Sequence, residues 1–173
     1  MTQRLNDNKN QYDTNQYHHL YIITGASRGF GLSLVQQVVQ QQQQLAFIHH
    51  QTTLLLTARQ DLTSLKEQLL SESIDQTRLN ILLHSMDQST NTQPNLTSLL
   101  NEIPCNQYFD KVTLINNAGS LGRLERIDAL SYSDYDGSLQ LNLVAPLTLT
   151  SMVLHRFKET PHICIVNVSS LAA

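Results

Sequence analysis

The sequence predicts an α/β fold, a doubly wound parallel sheet with helices on both faces. Three observations predict it. Five short apolar runs, within Leu20–Ile23, Thr53–Thr57, Asn80–His84, Lys111–Ile115 and His162–Val168, have the length and makeup of buried strands. Segments with apolar residues at helical spacing lie between them. No two runs are joined by a tight hairpin turn, so neighbouring strands run parallel through helical crossovers.

Taken in order, Met1 to His19 is polar and rich in Asn, Gln and Tyr, and reads as a disordered lead-in with no apolar core of a signal peptide. The first strand, Leu20–Ile23, runs into Thr24-Gly25-Ala26-Ser27-Arg28-Gly29-Phe30-Gly31. A helix with Leu32, Leu34, Val35, Val38 and Val39 follows. A strand, a glycine turn and a helix start let backbone N–H groups approach a diphosphate and aim the positive helix end at it. The spacing Gly-x-x-x-Gly-x-Gly is not Gly-x-Gly-x-x-Gly. Nor is it a P-loop, because Leu32 and Ser33 stand where Lys and Ser or Thr would be needed.

The helix runs into the glutamine tract Gln40 to Gln44, which either extends it or forms a solvated loop. His49-His50 and His18-His19 are adjacent pairs whose side chains diverge, so neither is expected to share a metal. The second strand ends at Ala58 and Arg59. An acidic residue near this point would bond an adenosine ribose, whereas an arginine suits a 2′-phosphate. Arg28 is placed to approach the same phosphate. The alternative is a solvated Arg59 paired with Asp61.

Leu62, Leu65, Leu69 and Leu70 mark a second helix ending near Ser73. After the third strand, Asp87 is either a turn aspartate or an acceptor for an adenine amino group. Leu96, Leu99, Leu100 and Ile103 make a third helix, stopped at Pro104. The fourth strand runs into Asn116-Asn117-Ala118-Gly119-Ser120-Leu121-Gly122, where the two amides can hold adjacent strand ends and line a crevice. From Ser131 a long helix carries Leu139, Leu141, Leu143, Val144, Leu147, Leu149 and Val153, with Pro146 bending it. Asn142 within it is either a satisfied core asparagine or a site residue. The fifth strand ends in Ser169 and Ser170.

The bulk numbers exclude several classes. The net charge is −3, with 14% charged residues and a pI near 6.1, so nothing favours nucleic acid or an anionic membrane surface. No unbroken run of about 18 apolar residues predicts a membrane span. The two cysteines, Cys105 and Cys164, have no metal-ligand spacing, and Cys164 sits in an apolar run as an expected buried residue. These features point to the cytoplasm. The sequons at Asn95 and Asn167 are discounted, Asn167 because it falls in a strand expected to be buried.

The glycine turn, Asn116-Asn117-Ala118-Gly119, Asn142 in Leu-Asn-Leu and Val166-Asn167-Val168-Ser169-Ser170 together resemble the short-chain dehydrogenase/reductase family, in the family's motif order. The resemblance implies a Rossmann-type fold over residues 20–173 and a carbonyl reductase using NADP. Gly25 to Gly31 would cradle the pyrophosphate, with Arg59 and Gln60 at the adenosine phosphate. Asp87 and Gln88 would flank the adenine, and Asn116, Asn117, Ala118 and Gly119 would line the path to the nicotinamide. Ser170 would hold the substrate carbonyl and Asn142 would order a proton-relay water. Ala58-Arg59 and the Ser120-Leu121-Gly122 tail look most like members that reduce the side-chain ketone of a pterin, giving tetrahydrobiopterin. Other ketones, or a non-catalytic NADP-binding protein, are the alternatives. Homo-oligomers are usual in the family. It also pairs a tyrosine with a lysine four positions later. The residues four before Lys9, Lys66, Lys111 and Lys158 are Leu5, Leu62, Gln107 and Leu154, so the chain reads as an incomplete copy, without C-terminal strands and helices.

Overall fold

The computed structural model describes residues 16–44, 50–73, 75–87 and 92–169. Five parallel strands form one sheet: β1 (Tyr17–Thr24), β2 (His50–Ala58), β3 (Leu79–Ser85), β4 (Lys111–Asn116) and β5 (His162–Asn167), in the spatial order β3-β2-β1-β4-β5. The helices between them are α1 (Gly29–Gln44), α2 (Thr63–Glu72), α3 (Thr92–Asn101), α4 (Tyr132–Leu139) and α5 (Ala145–Arg156). The sheet order reverses between β1 and β4, and in such sheets a crevice opens beyond the carboxyl ends of these strands.

Two apolar layers make the sheet doubly wound. On one face Leu20, Ile22, Leu55, Val112 and Leu114 meet Leu96, Leu99 and Ile103 near α3 and Leu149 and Val153 of α5. On the other face Ile23, Leu54 and Leu56 meet Val35, Val38 and Val39 of α1 and Leu69 of α2. Strands buried on both faces read as continuous apolar runs, which is why the sequence located β1, β2 and β4.

Several expectations need correction. β1 begins at Tyr17, so the polar lead-in does not extend to His19. Its histidines are structural: His18 Nε2 lies 3.2 Å from Thr53 Oγ1 and His19 Nε2 lies 2.9 Å from Thr113 Oγ1. Among the described residues no group of three His, Cys, Asp or Glu side chains could hold a metal. The glutamine tract continues α1 as helix. Cys164 is exposed, because β5 lies at the sheet edge and only Ile163 and Ile165 pack into a core.

The long helix breaks where Pro146 has no N–H to offer the carbonyl of Asn142, four residues before it. Instead of a simple bend, Gln140–Val144 widens into a π-turn, with the Ala145 N–H donating to the Gln140 carbonyl. Only Ala145, Leu149 and Val153 of α5 are buried, while Leu139, Leu143 and Leu147 face outward. Within the 25 residues Tyr132–Arg156 an 18-residue window reaches a mean hydropathy of 1.3, which by length and composition alone suffices to cross a membrane. Here their buried side docks on the sheet.

Candidate active site

The site is built around the end of β1. Thr24 Oγ1 accepts hydrogen bonds from the backbone N–H groups of Asn117 and Ala118, both at 3.0 Å, and faces the Ile115 carbonyl. In return the Asn117 side-chain amide donates to the carbonyls of Thr24 (3.0 Å) and Gly25 (3.2 Å). From the other flank, the N–H groups of Gly25 and Ala26 donate to the Thr57 carbonyl at 2.8 and 3.1 Å. The glycine turn is thus held by β2 on one side and by the end of β4 on the other.

Three glycines are required there, Gly25 at φ +70° with the Ala118 backbone 3.0 Å from where its Cβ would stand. A Cβ on Gly31 would run into the Gly25 carbonyl and the Asn117 amide. Gly29 has φ +57°, and a Cβ there would meet no protein atom within 4 Å. That open space lies at the amino end of α1, whose first N–H groups have no partner within the helix.

A cavity of about 550 Å³ opens over this turn. Gly25, Ser27, Arg28 and Gly29 line it from β1–α1, and Arg59 and Gln60 from the end of β2. Asp87 lines it beyond β3, and Asn117, Ala118 and Gly119 beyond β4. The remaining expected residues are placed differently. Ala26 and Gly31 are buried behind the turn, and Phe30 is 60% exposed outside it. Gln88 lies outside the described residues. The Asp61 carboxylate accepts from Thr63 N–H (3.0 Å) and Thr63 Oγ1 (2.7 Å), and makes no pair with Arg59. Among the described residues neither Arg59 nor Arg28 forms an ion pair, so two unpaired guanidiniums edge this cavity, whose lining also holds the Asp87 carboxylate.

A second cavity, about 680 Å³, shares Asn117, Ala118 and Gly119 with the first. Its walls are mostly apolar, with Leu121, Leu143, Pro146, Leu147 and Val168. Asn116 turns to this side, away from the first cavity. Its side-chain amide donates to Asn167 Oδ1 (2.9 Å) and Thr150 Oγ1 (3.3 Å). Asn142, on the π-turn, is exposed and satisfied: its Nδ2 donates to the Ser120 carbonyl at 2.7 Å, and its Oδ1 accepts the Ser120 N–H at 2.9 Å. Asn167 is exposed at the edge of the sheet, against the expectation of a buried strand. Ser169 lines the cavity, and Ser170 lies outside the described residues.

Sequence reasoning missed Thr24, the joint of the whole arrangement, because a threonine after an apolar run carries no signal of its own. It also missed Met86 and Leu141 in the first cavity, and the Asn167–Asn116–Thr150 set in the second. Asn167 carried no local signal, since its place opposite Asn116 is a matter of strand register.

An anion-accepting turn with two unpaired guanidiniums, opening beside an apolar cavity, suits a phosphorylated cofactor next to an apolar reactant. Comparison with known proteins agrees. The chain is 33% identical over 159 residues to a sepiapterin reductase from Rattus norvegicus, covering 88% of this chain and 57% of that one. It is 30% identical to a benzil reductase ((S)-benzoin forming) from Bacillus subtilis (strain 168), covering 89% and 56%. The chain therefore spans little more than half the length of these relatives. In structure it is similar to the bulky-bulky ketone specific alcohol dehydrogenase from Comamonas testosteroni, with a TM-score of 0.67 at 25% identity over 91% of this chain and 56% of that one. Residues 19–173 match the family described as short chain dehydrogenase, and the chain belongs to that family.

Proposed function

We propose that this chain forms the cofactor-binding part of an NADPH-dependent carbonyl reductase. The observation that carries the reading is the pair of unpaired guanidiniums, Arg28 and Arg59, at one cavity that shares Asn117–Gly119 with a second, mostly apolar one. The residues present fit NADP. The open side of Gly29 and the α1 amino end suit its pyrophosphate, and Arg59 and Arg28 its 2′-phosphate. Gln60 sits beside Arg59 at that end, Asp87 and Gln88 suit the adenine, and Asn117, Ala118 and Gly119 the nicotinamide end.

When bound, the cofactor supplies a hydride. The residues of this chain orient the reactants around that transfer. The two cavities meet at Asn117–Gly119, so a carbonyl compound in the second would lie against the nicotinamide end of the first. Leu121, Leu143, Leu147 and Val168 give the second cavity an apolar but solvent-exposed wall. By the family resemblance, Ser170 would donate to the carbonyl oxygen as charge develops there, and Asn142, with its carboxamide held by Ser120, would order a proton-relay water. The same reading keeps Asn116 as a second support, through Asn167, for the strand that leads to Ser170.

The pterin side-chain ketone is the substrate we favour, supported by the resemblance to sepiapterin reductase and by Ala58-Arg59 and Ser120-Leu121-Gly122. Similarity to a benzil reductase supports a second reading, a diketone. The test is calorimetric titration of residues 1–173 with NADPH and NADH, then of the NADP-loaded protein with sepiapterin and benzil. Tighter binding of NADPH, followed by saturable binding of one carbonyl compound, is expected. Equal or absent binding of the two dinucleotides would overturn the cofactor reading.

A further inference from the structure

The amino ends of the strands, at the far end of the sheet from both cavities, hold three histidines that the site does not use. His19 of β1 is buried; its Nε2 lies 2.9 Å from Thr113 Oγ1 of β4 and its ring stacks on Tyr21 at 3.9 Å. The edge of the His50 ring, from β2, approaches it at 6.3 Å, and His50 stacks in turn on Tyr17 at 5.0 Å. Successive side chains of a strand point to opposite faces, so His18 lies on the other side of the sheet. There it packs on Phe109, with its Nε2 3.2 Å from Thr53 Oγ1 and 3.5 Å from Gln107 Nε2. A carboxamide nitrogen only donates, so toward Gln107 this ring nitrogen is an acceptor and carries no proton.

Charge is distributed unevenly around these rings. The Asp110 carboxylate accepts the His18 N–H at 2.7 Å, the Asp110 N–H donates to the His18 carbonyl at 2.9 Å, and the carboxylate also acts on His50. His19 instead faces Lys111, its register partner on β4, and His50. The other titratable groups at this end are Tyr17 and Tyr21, both pushed up by burial, and Cys164 of β5, which acts on Tyr21. A proton on His19 would therefore enter a buried place beside a lysine and a second histidine.

This end of the sheet is also its polar end. Tyr17, His18 and His19 pair with His50, Gln51 and Thr52, and the next β2 residue is Thr53. Toward the carboxyl end, Ile22 and Ile23 pair with Leu55 and Leu56, and Ile22 also with Leu114, all fully buried. Apolar burial, the largest resistance to opening, is concentrated in that second half.

We propose that the three histidines form a proton-operated latch: mild acid releases the amino half of β1 from β2 and β4, while the carboxyl half, with Thr24 and the glycine turn, stays paired. In the closed form, burial first, then Lys111 and His50, hold the His19 pKa down to about 3. In the open form the ring is hydrated and takes a proton at its ordinary value, near 6.5. Only the open form gains the proton, so opening grows as the pH falls below about 6.5, by roughly tenfold at pH 5.5 from His19 alone. The latch is independent of the reaction assigned to the chain.

The test is hydrogen–deuterium exchange of residues 1–173, read by NMR at pH 7.5 and 5.5 and corrected for the intrinsic pH dependence of exchange. Amides of residues 17–19 and 50–53 should lose roughly tenfold in protection, while those of residues 22–24 and 54–57 keep theirs. His19→Gln retains a hydrogen-bonding group against Thr113 but cannot take the proton, and should abolish most of the loss. Where that variant does not fold, the ring resonances of the parent protein decide, because His19 of the closed form should stay neutral down to pH 5. Equal loss along the whole of β1, no loss at all, or a loss undiminished in His19→Gln would overturn the latch. So would a His19 ring that takes its proton near pH 6.5 with its strand still protected.

Discussion

Asn142 and Ser120 exchange two hydrogen bonds, amide to carbonyl at 2.7 Å and backbone N–H to amide oxygen at 2.9 Å, across 22 residues of sequence. The Ser120 hydroxyl then accepts the Gly122 N–H at 3.1 Å. One carboxamide on the π-turn therefore fixes the loop that separates the two cavities. In Asn142→Ala this loop loses both bonds, at a cost of about 1 kcal/mol each. Amide exchange at Ser120 and Gly122 should quicken by roughly tenfold, with Asn142→Asp intermediate because the acceptor survives. Unchanged exchange in Asn142→Ala would mean that the loop holds its shape without the clamp.

On the proposed reading, Arg59 carries the phosphate discrimination. Its guanidinium has no ion pair among the described residues, and the nearby Asp61 is engaged by Thr63. Loss of one charge-assisted phosphate contact costs about 1.5–3 kcal/mol. Arg59→Ala should weaken NADPH by at least about tenfold on that scale and leave NADH nearly unchanged. Titration by fluorescence reads the difference directly, and equal weakening of both would remove the 2′-phosphate assignment.

Gly29→Val should behave differently from Arg59→Ala. The valine Cβ meets no protein atom, but it fills the space over the α1 amino end and sits at φ +57°, where a branched residue is strained. The melting temperature should fall by a few degrees, and both dinucleotides should lose more than tenfold in affinity, because the pyrophosphate is common to them. Retained affinity would place the phosphate site elsewhere.

Acid should destabilise this fold through the amino ends of the strands. The His19 ring is 4% exposed, stacks on Tyr21 at 3.9 Å and approaches His50 at 6.3 Å. Burial, then the charges of Lys111 and His50, push its pKa down to about 3. Burial lowers His18 and His50 as well, against a partial opposing pull from Asp110. The folded protein therefore holds these rings neutral, while the unfolded chain takes up protons below about pH 6.5. Stability is full above that pH and falls as the pH drops toward 3, by on the order of 2 kcal/mol from His19 alone at pH 5. Thermal melts from pH 7.5 to 5 should show the decline, and His19→Gln should flatten it. A flat profile in the parent protein would contradict the neutral cluster.

Much of this was legible in the sequence, for physical reasons that differ by element. β1, β2 and β4 are buried on both faces, so their apolar runs are long and unambiguous. Gly25, Gly29 and Gly31 announce a turn because few other residues permit one. The outward face of Leu139, Leu143 and Leu147 was not legible: periodicity reports that a stripe is apolar, not what lies against it. Cys164 was misplaced for the same reason, since an apolar run does not reveal that its strand is at an edge. The π-turn was half legible, as Pro146 announces a disturbance but not whether the helix kinks or widens. The partners of Asn116 and Asn142 depend on register and on a contact across 22 residues, which no local pattern encodes.

The bond between Asn117 and Thr24 spans 93 positions of the chain. Apart from the neighbouring Ala118 N–H, which also reaches Thr24 Oγ1, the contacts that shape the glycine turn, to Thr57 and within α1, are made by residues synthesised before Asn117. A ribosome adding about 5–20 residues per second needs roughly 5–20 s to travel from one partner to the other. Until then the turn has β2 to hold it but not the fourth strand. With Ala118 added, the glycine turn has its anchors from both neighbouring strands, before the residues from Asn142 to Ser169 that complete the second cavity are joined to the chain.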